Sequence, residues 1–120
     1  MTNSDENLKM EIEMIKKALS SKKGEEELVQ YLNPVVNSEG EAIIDRWLDE
    51  RGIYMTEGEK KKAIEIGWLA FPFALKKYKE KIDLIERGEN IEIYKISEYI
   101  PWLVRQKVLE YLNENYKNDL

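Results

Sequence analysis

Any chemistry in this chain would have to rest on carboxylates, lysines or tyrosines. Its 120 residues include no cysteine and no histidine. The first absence removes thiolate nucleophiles, disulfides and cysteine zinc sites. The second removes the commonest general base, the commonest metal ligand and the usual switch near neutral pH. What remains are acidic pairs at helical spacing. Glu80 and Asp83 lie three apart, as do Glu86 and Glu89, and Asp45 and Asp49 lie four apart. Residues so spaced share a helix face and can offer oxygen ligands to a divalent cation.

Each pair has a plainer reading as a solvated acidic face, and the details favour it. All-α nucleotide pyrophosphohydrolases hold magnesium with an ExxE pair on one helix and an ExxD pair on the next. Here Glu80 and Asp83 supply ExxD spacing, but no earlier helix supplies ExxE. Glu86 and Glu89 straddle Gly88, where a helix should stop, and Arg46 and Arg51 stand beside Asp45 and Asp49. The six glycines are scattered, so there is no phosphate-cradling loop. No serine or lysine has a recognisable activating base nearby in sequence. The expectation is therefore a chain with no catalytic residues, no metal and no cofactor.

Charge gives a second lead. The net charge is −5, yet residues 60–81 carry seven lysines against Glu65 and Glu80. Lys76, Lys77, Lys79 and Lys81 would suit salt-sensitive, non-specific phosphate contacts. Against this, Lys61–Glu65, Lys76–Glu80 and Lys79–Asp83 all lie one helical turn apart, the spacing of solvated ion pairs. Ala63 and Gly67 match the alanine-to-glycine spacing of a helix-turn-helix. The pattern then fails, because Pro72 would open the recognition helix and residues 70–74 offer no polar base-reading side chain. Nucleic-acid binding through the lysines stands as the alternative to protein binding.

The elements that would position these groups read as helices throughout. Leu8, Ile12, Ile15 and Leu19 form one stripe over residues 4–22, with Asn3 and Glu6 at capping-box spacing and Gly24 as a left-handed stop. A short helix over 25–32 should end at Asn33-Pro34, because a residue before proline avoids helical geometry. Ser38 with Glu41, and Thr56 with Glu59, repeat the capping-box spacing, and Gly52 separates them.

Residues 57–87 form the informative stretch. Ile64, Gly67, Trp68, Phe71, Leu75, Tyr78, Ile82 and Ile85 stay in phase across Pro72, which predicts one long helix kinked there. Ile66, Leu69, Phe73 and Leu84 form a second apolar group on the other side. A helix apolar all round is buried all round unless a partner covers one side. Residues 90–97 read as a loop, and Pro101 suits the first turn of a last helix over 101–115 whose final residues fray.

The sequence thus predicts one all-α domain over residues 1–120, a bundle of five or six helices with a long, Pro-kinked central helix. No run approaches the roughly 20 apolar residues of a membrane span, and the polar, acidic start is unlike a secretory signal, so a cytoplasmic location is expected. The expected function is binding another protein, as an inhibitor, an immunity or antitoxin-like protein, or an adaptor. Phe73, Leu84 and Trp102 are the expected interface, because they lie off the core stripes and aromatics are enriched at interface centres. A homodimer would cover the same surplus of apolar surface.

Overall fold

A computed structural model describes residues 3–116, with side chains from residue 6 onward. The described residues are helical, without strands, and form four helical runs. They are α1 (Asn3–Ser20), α2 (Lys22–Arg51), α3 (Glu57–Gly67) continued through a 3-10 turn (Trp68–Ala70) into α4 (Phe71–Glu86), and α5 (Ile96–Asn115). The all-α reading holds. The expected count of five or six is not reached, because the chain does not break at Pro34.

Pro34 is the largest correction. It lies inside α2, which runs unbroken for 30 residues. A proline there forfeits one backbone bond and crowds the preceding turn, a penalty of about 3 kcal/mol. Leu28, Leu32, Val36, Ile43, Ile44 and Trp47 are buried in a single phase on both sides of it. At 1.5–3 kcal/mol or so for each large side chain buried, that stripe outweighs the defect. Ser38 is consequently an exposed mid-helix residue, not a cap. Gly24 is no left-handed terminator either. Ser21 is the single extended residue between α1 and α2, and its hydroxyl accepts the Gly24 N–H at 3.0 Å. Gly24 packs so close to the Lys17 carbonyl that a Cβ would clash with backbone.

Pro101 also sits inside a helix, because α5 starts at Ile96 instead of at the proline. Ile96, Ile100, Val104, Val108 and Leu112 are buried at steps of four, and that phase carries the helix back past Pro101. At Pro72 the expected kink within one α-helix is replaced by a change of winding. The Trp68 carbonyl, which Pro72 cannot reach with an N–H, accepts the Phe71 N–H in a 3-10 bond. Pro72 then falls in the first turn of α4, where its missing donor matters least.

Other signals hold. Thr56 and Glu59 form both bonds of a capping box, at 3.1 and 2.8 Å. Gly52 closes α2 at φ 64, where its N–H meets the Leu48 carbonyl. The Asn3 cap falls on a side chain outside the described set. Of the tail expected to fray, Asn113–Asn115 are helical, and residues 117–120 lie outside the described set.

Side-chain contacts fix the directions of the helices. Lys17 meets Glu27, and Glu11 meets Tyr31, so α1 and α2 form an antiparallel hairpin. Glu39 meets Arg105 at 4.0 Å, and Trp47 Nε1 donates to Asn113 Oδ1 at 3.1 Å. Both pairs are 66 residues apart, so α2 and α5 run parallel. The α3–α4 run lies antiparallel to α5, with Gly67 beside Val104 and Val108, and Tyr78 beside Tyr99. One hydrophobic cluster includes core residues from all four helical runs.

A buried carboxylate ties these directions together. Glu11 is 1% exposed. Its Oε2 accepts the Tyr31 hydroxyl at 2.7 Å, and its Oε1 accepts the Ser97 N–H at 3.3 Å. Lys95, the residue that would cap α5, makes no side-chain cap bond. Glu11 of α1 therefore caps α5 from another helix, and its charge faces the positive end of that helix dipole.

Candidate protein-binding groove

The α3–α4 run and α5 meet along their lengths, and the 3-10 turn changes how the first of them presents its side chains. Ile66, Leu69 and Phe73 come from the run around that turn, and Trp102, Leu103 and Tyr111 face them from α5. Between them lies a groove of about 590 Å³, open along one side. Three of its members are exposed although they are large and apolar: Leu69 at 73%, Phe73 at 58% and Trp102 at 51%. An apolar patch of this kind on a folded surface is a recognised mark of an interaction site.

Close backbone approach shapes the floor of the groove. Gly67 has ordinary helical angles (φ −60, ψ −34), so left-handed geometry is not why glycine stands there. Space is the reason: a Cβ would lie 2.6 Å from Val104 Cγ1 and 3.1 Å from the Val104 carbonyl oxygen. Gly67 lets α3 sit directly on α5. The neighbours Ile66 and Leu103 are then half-buried along the seam, and Leu69 stands clear of it.

The groove is electrically uneven. At its α4 end the Lys77 ammonium lies 5.3 Å from the centre of the Phe73 ring, a cation–π arrangement. Towards the C-terminal end of α5 it is lined by Glu110 and Glu114, with Lys107 beside Glu110 at 3.6 Å.

Of the three residues expected at an interface, the structure brings Phe73 and Trp102 to this groove and leaves Leu84 out. Leu84 lies 11 residues beyond Phe73 on α4, roughly 16 Å along a helix at the standard rise, and it is half-buried. Leu69 and Ile66 were legible beside Phe73, since the three recur at helical spacing. Glu110 and Glu114 carry no sequence signal, being polar and distant in sequence, and Tyr111 reads as part of the apolar stripe of the last helix.

The four lysines of the alternative reading do not form one face. Lys79 is paired with Asp83 at 3.1 Å, whereas Lys77 and Lys81 line a recess with Tyr94, Tyr99 and Trp102. Lys76 is exposed and lines neither cleft. The expected Lys61–Glu65 and Lys76–Glu80 bridges are not formed among the described residues. Lys60 instead links α3 to α2 through Asp45 at 3.1 Å, and Asp45 in turn holds its ammonium above the usual range.

The tyrosines behind the groove supply a solution test. Tyr78 donates its hydroxyl to the Tyr94 carbonyl at 2.7 Å. Burial, and then the negative charge of Glu11, push its pKa well above its usual value near 10. An unfolded chain ionises this phenol near pH 10, and the folded chain does not. The contribution of Tyr78 to stability is therefore complete below pH 10 and lost as the pH rises beyond it. Alkaline titration of phenolate absorbance should show a late-ionising tyrosine that Tyr78→Phe removes. A profile unchanged by that substitution would contradict the packing described.

Among the described residues no three acidic side chains converge on a possible metal position, and no helix is long and apolar enough to cross a membrane. No family model, curated protein or solved structure matches the chain.

Proposed function

We propose that this chain is a protein-binding module, of the inhibitor, immunity or antitoxin-like, or adaptor kind, and that it acts by contact rather than catalysis. The supporting observation is the convergence of Leu69, Phe73 and Trp102, exposed and from two antiparallel segments, on one groove. Rigid aromatic anchors beside an open apolar slot are the arrangement that carries most interface energy.

The occupant that fits is an amphipathic helix. A groove between two antiparallel helices accepts apolar anchors at i, i+3 or i+4, and i+7. The charges set its direction, with an acidic residue near Lys77 and a basic one near Glu110 and Glu114.

The test is capture of partners from the native host with wild-type chain, Leu69→Asp and Phe73→Asp. The expected result is a partner retained by wild type and lost by both variants, each with an unchanged helical spectrum and unfolding midpoint. Unfolding of the variants would make these residues core and end the proposal, as would undiminished capture. Light scattering on a sizing column reports whether a second copy occupies the groove instead.

A further inference from the structure

A second recess lies around the corner from the groove, and we infer that it binds a nucleotide unit, with a planar base on Trp102 and a phosphate between Lys77 and Lys81. The inference does not depend on the protein-binding reading, because it rests on different side chains, Trp102 and Lys77 apart. The recess has a volume of about 300 Å³ and is lined by Lys77, Lys81, Tyr78, Tyr94, Tyr99 and Trp102.

Three observations carry it. First, Tyr99 and Trp102 lie nearly parallel, with ring centres 6.1 Å apart and 26° between planes. Half of Trp102 is open to solvent, so another planar ring can extend the stack. Bases stack on aromatic side chains with about 1–3 kcal/mol each and little regard to sequence.

Second, Lys77 and Lys81 are one turn apart on α4, about 6 Å along the axis. Neither has an ion-pair partner among the described residues, whereas their neighbour Lys79 does. Both are held over aromatic rings, Lys77 above Phe73 and Lys81 5.7 Å from the centre of Tyr94. Two ammoniums without ion-pair partners on neighbouring turns of one helix suit a phosphate dianion or adjacent phosphodiesters.

Third, the rim is anchored. The Tyr78 hydroxyl holds the Tyr94 carbonyl at 2.7 Å, which fixes the loop after α4 against the recess. Tyr78 also packs on Tyr99, 5.8 Å between ring centres. The stacking platform is therefore braced before a ligand arrives, and little ordering is needed on binding.

The same chemistry is offered by a free mononucleotide and by a single strand, so the test has two arms. Adenosine monophosphate is titrated by calorimetry, and a labelled oligothymidylate of about 12 nucleotides by anisotropy, both at low salt. The expected result is binding of one or both that Trp102→Leu weakens by roughly 5- to 100-fold, the range for one lost stack. For the oligonucleotide, two phosphate contacts predict a slope of about −1.4 in log affinity against log salt, nearly abolished in Lys77→Gln/Lys81→Gln. Binding of the mononucleotide marks a free-nucleotide site, and binding of the strand alone marks a single-strand site. Lys76→Gln should not alter the mononucleotide affinity, nor should Leu69→Asp, which disables only the groove. Absence of binding by both probes overturns the inference. So does binding that survives Trp102→Leu, since charge alone would then account for it.

Discussion

Replacing Glu11 with alanine should lower the stability of the fold by about 3 kcal/mol, the sum expected for a small cavity and a helix-start N–H that loses its acceptor. The two oxygens of this carboxylate take the Tyr31 hydroxyl and the Ser97 N–H. Removing the acceptor leaves the Ser97 N–H at the start of α5 without its partner. Glu11→Gln keeps an oxygen and nearly the same volume, and should cost about 1 kcal/mol. Urea midpoints for the three proteins decide the matter. Equal midpoints for wild type and Glu11→Ala would mean that the buried carboxylate contributes nothing. A second reading is available in the same experiment, because Tyr31, raised in pKa by burial and by Glu11, should titrate closer to an ordinary tyrosine in Glu11→Ala.

Gly67→Leu should be at least as damaging, at about 3 kcal/mol, with Gly67→Ala at 1–2 kcal/mol by the usual magnitudes for overpacking. Two effects oppose each other at this position. Alanine favours a helix over glycine by about 1 kcal/mol, and the helical angles of Gly67 permit it. But the new methyl would meet Val104 Cγ1 at 2.6 Å and the Val104 carbonyl oxygen at 3.1 Å, and a β-branched side chain in a helix has little freedom to move aside. Sterics therefore win. Pairing Gly67→Ala with Val104→Ala should recover part of the loss, because one of the two obstructions is a side chain and the other is backbone. Melting temperatures give the cycle, at roughly 4–8 °C per kcal/mol for a domain near this size. Full additivity of the two substitutions would show that α3 and α5 do not touch where described. Separation of these helices should also widen the groove and reduce capture of a partner.

Local punctuation was the part of the sequence most easily misread. Thr56 with Glu59 and Gly52 did what their types suggest, because each acts within one turn and needs no distant support. Pro34 and Pro101 did not stop their helices, because what decides a helix boundary is the sum of side chains it buries. The phase of Leu28, Leu32 and Val36 across Pro34, and of Ile96, Ile100 and Val104 across Pro101, was present in the sequence. Apolar side chains keep their phase across those two prolines just as they do across Pro72. At Pro72 itself the phase survives, but the backbone tightens into a 3-10 turn to reuse the Trp68 carbonyl.

The groove was legible along the α3–α4 wall and, on α5, at Trp102 alone. Phe73 and Trp102 lie off their core stripes, and Ile66 and Leu69 share a spacing with Phe73. Leu84 has the same angular position but falls past the end of α5's facing surface. The opposite wall depends on the antiparallel register that Gly67 and Val104 establish, and no local pattern announces which residues that register brings across. For the same reason the lysines read as one stripe in sequence and divide into an ion-paired member and two held over aromatic rings in space.

The bond from Ser97 to Glu11 joins residues 86 positions apart, which matters while the protein is being made. The α1–α2 hairpin can form as soon as its own residues leave the ribosome, because its contacts are local. Glu11 then waits, desolvated on one side and bonded only to Tyr31, until Ser97 has been translated. A nascent chain stalled before residue 96 should therefore hold its hairpin loosely and exchange its amide hydrogens quickly. Synthesis of the last helix would lock it.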